Sequence, residues 1–303
     1  MIKNKKIACI VVLVGHMALI ARSTIDRTIV LTALASKNYL YLFGDTSKNA
    51  RVNAAYATKE NIRGAGYTPA YTNQDRAFIG CLRKIRIFGI CDGHGKQGDI
   101  VAEFAQKNLG QQVLSSRNPA QALPAALKEI QEILKDMQSA QHAGATAVTA
   151  VLDEHNNLTV AHIGDSRLIV IRNGKVVFTT RDHKPTDLIE KARIEAQGGF
   201  VQDGRARHTA SNSSFALARS LGDIQAQGKI LISTPEVKHF LVRKDDHIVL
   251  ASDGVWDVLD NEEIVRLIGE GGSEQEKADR VVNEARAEKS RDDITAVVVH
   301  ITQ

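Results

Sequence analysis

Cysteine is scarce in this 303-residue chain: Cys9, Cys81 and Cys91 are the only three, and none stands at C-x-x-C spacing from another. That excludes a disulfide-stapled scaffold and a cysteine zinc site, and it fits a reducing compartment. A surplus of one charge is missing too. With 39 Lys and Arg against 35 Asp and Glu the formal net charge is +4, and no dense basic tract occurs beyond the extreme N-terminus. Nucleic-acid binding therefore has no electrostatic footprint here. The N-terminal apolar run from Ile7 to Ile20, broken by His16, falls short of the ~20 residues of a comfortable membrane span. The sequence has no internal repeat and no low-complexity segment. Its 43% hydrophobic and 24% charged residues are the make-up of a globular protein with one large core or two small ones.

The first 22 residues have a basic start and an apolar centre, the shape of a signal or anchor segment, although an unstructured or mis-started extension reads equally well. Ala33-Leu34-Ala35 would serve as a cleavage site. Residues 1–50 are set aside as an N-terminal extension, with membrane contact confined to residues 1–22 if these are retained. Residues 51–303 are read as the folded domain. From about residue 50, short β-like runs alternate with amphipathic helices. Helices are expected over 99–114, 119–141 and 185–197, the last ended by Gly198-Gly199. Four strands follow closely over 145–152, 157–163, 167–172 and 175–180, and Asn173-Gly174 is a hairpin signal between the last two. Strands so close in sequence must pair antiparallel. Residues 200–214 read as a polar loop. The last third reads strand 247–252, helices 261–269 and 273–289, strand 294–301. Strands in groups and helices in pairs predict an α+β fold with sheets inside and helix pairs outside.

The run that organises the chain is Phe88-Gly89-Ile90-Cys91-Asp92-Gly93-His94-Gly95. Its period of two is that of a buried strand, with Ile85, Ile87, Gly89 and Cys91 on one face and Arg86, Phe88 and Ile90 on the other. Asp92 stands where that strand leaves the core, and Gly93 can bend and turn a carbonyl oxygen toward whatever Asp92 binds. The same grammar returns in Ala251-Ser252-Asp253-Gly254, in Ser290-Arg291-Asp292-Asp293 and in Gly164-Asp165. Each Asp-Gly alone is ordinary turn chemistry. Several aspartates at the ends of apolar runs are different, because a plain turn does not need its acid beside the core. If the fold gathers Asp75, Asp92, Asp253 and Asp292, countercharge is required. Oxygen-only ligands point to Mg²⁺ or Mn²⁺ ahead of Zn²⁺ or copper.

Asn73-Gln74-Asp75, Asp92-Gly93-His94-Gly95, Gly144-Ala145-Thr146-Ala147, Gly164-Asp165-Ser166-Arg167, Asp182-His183-Lys184-Pro185, Leu217-Ala218-Arg219-Ser220-Leu221-Gly222-Asp223, Thr234-Pro235-Glu236-Val237, Ala251-Ser252-Asp253-Gly254-Val255-Trp256-Asp257 and Ser290-Arg291-Asp292 occur in one order. Together they resemble the PP2C family of metal-dependent protein phosphatases, over roughly residues 60–303. The resemblance implies a central antiparallel β-sandwich flanked by helix pairs, and hydrolysis of phosphoserine and phosphothreonine in phosphorylated protein substrates. By the same resemblance Asp75, Asp92, Asp253 and Asp292 are metal ligands, Gly93 is a ligand through its carbonyl, and His94 is the general acid. Asp165 and Asp257 would join Asp253 at a third, weaker metal, and residues 186–214 would form a flap beside the cleft. A monomer is expected, with the catalytic domain in the cytoplasm.

A phosphomonoester dianion repels hydroxide, so two cations that neutralise it and lower the pKa of water would make the nucleophile. A serine alkoxide leaves poorly, so a proton donor at the place of His94 is expected to contribute roughly 10²–10⁴-fold. His162 and His183 are read as structural. Cys91 has no arginine cradle after it, which argues against a thiol phosphatase. Three departures from the family pattern stand out: Gln74 where Glu is common, Ala70 where Arg is common, and Asp293 where Asn is frequent. Phosphate would then be held by Arg63, Arg76 or Lys96, or less tightly. The competing expectations are an inert phosphatase-like binding module and a phosphatase of small metabolites.

Overall fold

Strand Ile85–His94 carries apolar side chains on both faces, and the architecture follows from what each face meets. In the computed structural model, which describes residues 40–44, 52–60, 72–82, 84–209 and 213–303, Ile87 and Cys91 turn toward helices while Phe88 and Ile90 turn toward a second sheet. The first sheet orders its strands as Leu40–Gly44, Asp75–Leu82, Ile85–His94, Ala147–Leu152, Asn157–Ile163 and Glu236–Leu241. The second orders Val52–Lys59, Ile294–Ile301, His247–Ala251, Arg167–Arg172 and Lys175–Thr179. Pairing is antiparallel throughout both, except that Leu40–Gly44 runs parallel to Asp75–Leu82. Face to face, the sheets bury Phe88, Ile90, Val148 and Val160 against Leu168, Val170, Leu250 and Val297. This is the sandwich expected from closely spaced strands.

Each outer face is covered by a helix pair. Gly98–Ser115 and Pro119–Leu134 pack Val101, Leu109, Leu127 and Ile130 on the first sheet. Asn261–Gly269 and Glu274–Ala287 pack Ile264, Leu267, Val281 and Val282 on the second. Both of the latter begin with a capping box, Asp260 with Glu263 and Ser273 with Glu276, which satisfies backbone donors that the first turn leaves unpaired. Gly89 is required by packing: a Cβ there would lie 2.1 Å from Phe78 Cζ, the ring of its cross-strand partner.

Three differences from the sequence reading have local causes. The helix expected over 119–141 ends at Leu134, and only a 3₁₀ turn, Gln138–Ala140, follows. The strand expected over 145–152 breaks at Thr146, whose N–H donates to Asp92 O at 2.8 Å. Within residues 200–214, read as a loop, the described part supplies strands to a small antiparallel sheet of Gly199–Gln202, Arg205–His208 and Ser214–Phe215. Helix Leu188–Ala196 lies against it and shares the apolar cluster of Ile194, Ala206, Leu217 and Ile230. Strand Leu40–Gly44 also falls inside the segment set aside as an extension. The signal or anchor reading of residues 1–22 and the position of Ala70 lie outside the described residues. No helix among the described residues is long and apolar enough to cross a membrane.

Candidate metal and phosphate site

Antiparallel register makes the core of the site. Asp75 opens one strand and Asp92 nearly closes the next, and the two are direct cross-strand partners. Ser252 joins the second sheet to this pair: its hydroxyl donates to Asp75 Oδ2 at 2.8 Å and accepts the Thr295 N–H at 3.0 Å. Asp253 is the next residue and opens the short helix Asp253–Trp256. Gly254 lies so close to the Asp292-Asp293 turn that a Cβ would sit 1.9 Å from Asp293 O. Asp293 Oδ2 in turn accepts the Gln74 N–H at 2.8 Å. Three loop ends from two sheets are thereby tied into one place.

The electrostatics record the crowding. Burial first, and then the charge of Asp293, push Asp75 up to about 7 despite the Ser252 hydrogen bond. Asp92 is raised well above the carboxylate range by burial and by Asp75, Asp253, Asp292 and Asp165. Asp253 is raised likewise, by burial and then by Asp165, Asp292 and Asp257. Asp165 is raised by burial, against which the Lys184 ammonium acts. Carboxylates that repel one another in a low-dielectric site need protons or cations in common. Asp75 Oδ1 and Asp165 Oδ1 are buried without a hydrogen-bond partner. A set of carboxylate oxygens with open lone pairs, without His or Cys among them, fits hard divalent cations.

His94 lies beside this cluster. Its Nε2 is 2.6 Å from Asp223 Oδ2, which also accepts the Ser220 hydroxyl at 2.7 Å. Burial works against a charged ring, but the Asp223 carboxylate outweighs it and raises the pKa of His94. Gly144 makes the contact possible, since a Cβ there would meet Asp223 Oδ2 at 2.2 Å and His94 Nε2 at 2.7 Å. The sequence reading assigned no role to Asp223, and no local signal would have supplied one, because 129 positions separate the two partners.

The remaining candidates divide. Asp165 is buried and Asp257 exposed, and Lys184 Nζ stands between them, 2.6 Å from Asp165 Oδ2 and 3.4 Å from Asp257 Oδ1. Gln74 does not point its amide N–H at the carboxylates; Nε2 donates to Gly95 O at 2.8 Å. Arg76 is no phosphate ligand. It is 3% exposed, with Nη1 donating to Asn73 O and Asp75 O at 2.7 and 2.9 Å. Lys96 is exposed, and Arg63 lies outside the described residues.

Two other groups bring ligand-type atoms within 4.8 Å: His162, His183 and Glu236, and His247, Glu274 and His300. In neither group are all the donor atoms free: His162 Nδ1 has no partner, but others are engaged. His183 Nδ1 already accepts the Gly164 N–H at 3.1 Å, which leaves its proton on Nε2. His247 Nε2 already faces the Lys277 ammonium at 2.9 Å. The rings of His162 and His183 are parallel and stacked 4.5 Å apart.

Comparison with known proteins bears on the same region. The sequence pattern of the family "Protein phosphatase 2C" matches residues 58–294. "Probable protein phosphatase 2C 45" of Oryza sativa subsp. japonica is 34% identical over 267 residues, 84% of this chain and 90% of that protein. "Probable protein phosphatase 2C 44" of the same organism is 36% identical over 222 residues, 71% of this chain and 68% of that protein. Among solved structures, the serine-threonine phosphatase 2C from Toxoplasma gondii shares the fold with a TM-score of 0.68 at 24% identity, over 82% of this chain and 94% of that one. The match spans Asp75, Asp92, Asp165, Asp253 and Asp292, and the chain belongs to the protein phosphatase 2C family of metal-dependent serine/threonine phosphatases.

Proposed function

We propose that this chain hydrolyses phosphoserine and phosphothreonine in proteins, with hard divalent cations, Mg²⁺ or Mn²⁺, held by Asp75, Asp92, Asp253 and Asp292 and by the Gly93 carbonyl. Asp165 and Asp257 would share a third, weaker cation with Asp253. The observation that carries this reading is the convergence of strand-end carboxylates, two of them cross-strand partners, at one end of the sandwich. When bound, such cations neutralise the phosphate dianion and lower the pKa of water, so that hydrolysis proceeds at neutral pH.

The chain's own part is to orient and to move a proton. The Asp75-Ser252-Thr295 hydrogen bonds lock the first carboxylate to both sheets. Asp223 holds the His94 ring by Nε2, so Nδ1 is the nitrogen that would give its proton to the departing serine oxygen. The buried Arg76 braces the backbone carbonyls of Asn73 and Asp75 and leaves substrate phosphate to other groups. We take residues 51–303 as the catalytic domain, with the flap as the helix and small sheet around residues 186–214.

The test is phosphate release from a phosphoserine peptide, from p-nitrophenyl phosphate and from small sugar phosphates, each with Mg²⁺, with Mn²⁺ and with chelator. Cation-dependent turnover that favours the phosphopeptide is expected. Binding of the peptide without turnover would instead fit an inert module, and preference for the small esters a metabolite phosphatase.

A further inference from the structure

Lys184 is aimed. The residue before it, His183, is fully buried and pinned from three sides. Its N–H donates to Gly164 O at 3.0 Å, its Nδ1 accepts the Gly164 N–H at 3.1 Å, and its carbonyl accepts the Ala218 N–H at 2.7 Å. Gly164 is the neighbour of Asp165, so the pinning places Lys184 directly opposite that carboxylate. Pro185 follows and holds residue 184 away from helical backbone. Asp187 N–H then donates to Lys184 O at 3.0 Å, and the Asp187 side chain caps the flap helix by accepting from Ile189 N and Glu190 N. Lys184 thus stands on a fixed hinge between a carboxylate cluster and the flap.

What its ammonium touches is specific. Nζ lies 2.6 Å from Asp165 Oδ2, a side chain only 2% exposed, and 3.4 Å from Asp257 Oδ1. A lysine reaching solvent by default would not keep its charge between two carboxylates with its own side chain 29% exposed. Those are two of the three carboxylates assigned above to the weaker cation.

We propose that the Lys184 ammonium is a built-in competitor of that third cation: the two share Asp165 and Asp257 and exclude one another. This rests on the cation reading of the carboxylate cluster. A dication entering between Asp165 and Asp257 must overcome the repulsion of a unit charge a few ångströms away or displace it. Removal of that charge should strengthen the weaker site roughly tenfold or more. Because the displaced side chain belongs to the segment that leads into the cap of Leu188–Ala196, cation entry there would be felt by the flap.

The experiment is equilibrium Mn²⁺ binding to the full chain without substrate, followed by the electron paramagnetic resonance of free Mn²⁺. Lys184→Met should leave the tight class of sites in place and raise the affinity of the weak class roughly tenfold. Lys184→Gln, which keeps a hydrogen-bond donor without the charge, should show the same gain, and Lys184→Arg should stay near wild type. Asp165→Asn should remove the weak class from both the wild-type and the Lys184→Met background. A weak class unchanged in both neutral variants, with the tight class intact, overturns this proposal alone. A strengthened class that survives Asp165→Asn also overturns it, because the competition would then lie elsewhere. Absence of a tight class in the wild type overturns it together with the cation reading beneath it.

Discussion

His94 Nε2 lies 2.6 Å from Asp223 Oδ2, and Asp223 holds that place with a positive φ of 46° and the Ser220 hydroxyl on the same oxygen. A non-glycine residue in the left-handed region is uncommon and persists where its surroundings over-determine it. Here those surroundings are the imidazole, the serine and the bare Cα of Gly144. If the pair positions a proton donor, Asp223→Ala should slow phosphoserine-peptide hydrolysis by roughly 10–10²-fold, up to the 10²–10⁴-fold range of a lost general acid. Hydrolysis of p-nitrophenyl phosphate, whose phenolate leaves unaided, should change much less. Steady-state kinetics on both substrates decide the matter, together with the His94→Ala, Asp223→Ala double variant. The double variant should be no slower than His94→Ala, and additive losses would give Asp223 a role apart from His94.

Gln74 is the second test. The family resemblance puts Gln74 where Glu is common. In the structure the amide Nε2 donates to Gly95 O, in the turn directly after His94. Gln74→Glu would add charge near the cluster but lose that donor and set a carboxylate against a carbonyl. Two opposed outcomes follow for two quantities. Mg²⁺ should be needed at lower concentration, since affinity follows ligand charge, while kcat on phosphopeptide should fall because the His94 turn loosens. A titration of activity against free Mg²⁺ measures both, and curves identical to wild type would place Gln74 outside both roles.

Much of the frame was legible because it is local. The period of two in Ile85–His94 assigned both faces of the strand, and helix Asn261–Gly269 and strand Ile294–Ile301 were bounded correctly by their caps and apolar pattern. The carboxylates were visible too, since each stands at one end of an apolar run or strand. The small sheet over 199–215 was not. Its strands are two to four residues long, too short for a clear alternating pattern, and hold by pairing with one another and by packing Val201, Ala206 and Phe215 with Ile194 and Ile230. Asp223 and Lys184 escaped for a related reason. Their partners lie far along the chain or across a pinned loop, and neither Asp nor Lys announces by its neighbours what it will touch.

Acid should weaken the joint between the second sheet and helix Glu274–Ala287. His247 is pushed down to about 4, by burial first and then by the Lys277 ammonium and His300. Glu274, Asp245, Lys277 and His300 are the charged or titratable groups that face it or its stacked partner. The unfolded chain takes up the His247 proton near pH ~6.5, whereas the folded chain refuses it until about 4. The unfolded state therefore binds more protons in that window, and stability falls as the pH drops through it. The raised Asp75, Asp92 and Asp253 act the opposite way in the same window, so the His247 contribution is read as a difference: thermal unfolding between pH 7.5 and 4.5 should show His247→Asn gaining stability relative to wild type as the pH falls. An unchanged slope in the variant would place the acid sensitivity elsewhere.

Asp253 joins the end of a buried strand to the charges of Asp165, Asp292 and Asp257. The decisive measurement is phosphate release from a phosphoserine peptide by wild type and by Asp253→Asn, after chelation and across a Mn²⁺ titration, with thermal unfolding as the check on folding. Wild type should be silent after chelation and recover with Mn²⁺. Asp253→Asn should fold with an unfolding temperature no lower than chelated wild type and lose at least ~10²-fold of the activity at every Mn²⁺ concentration. Turnover by wild type that survives chelation, or a fully active Asp253→Asn, would contradict the cation-dependent reading.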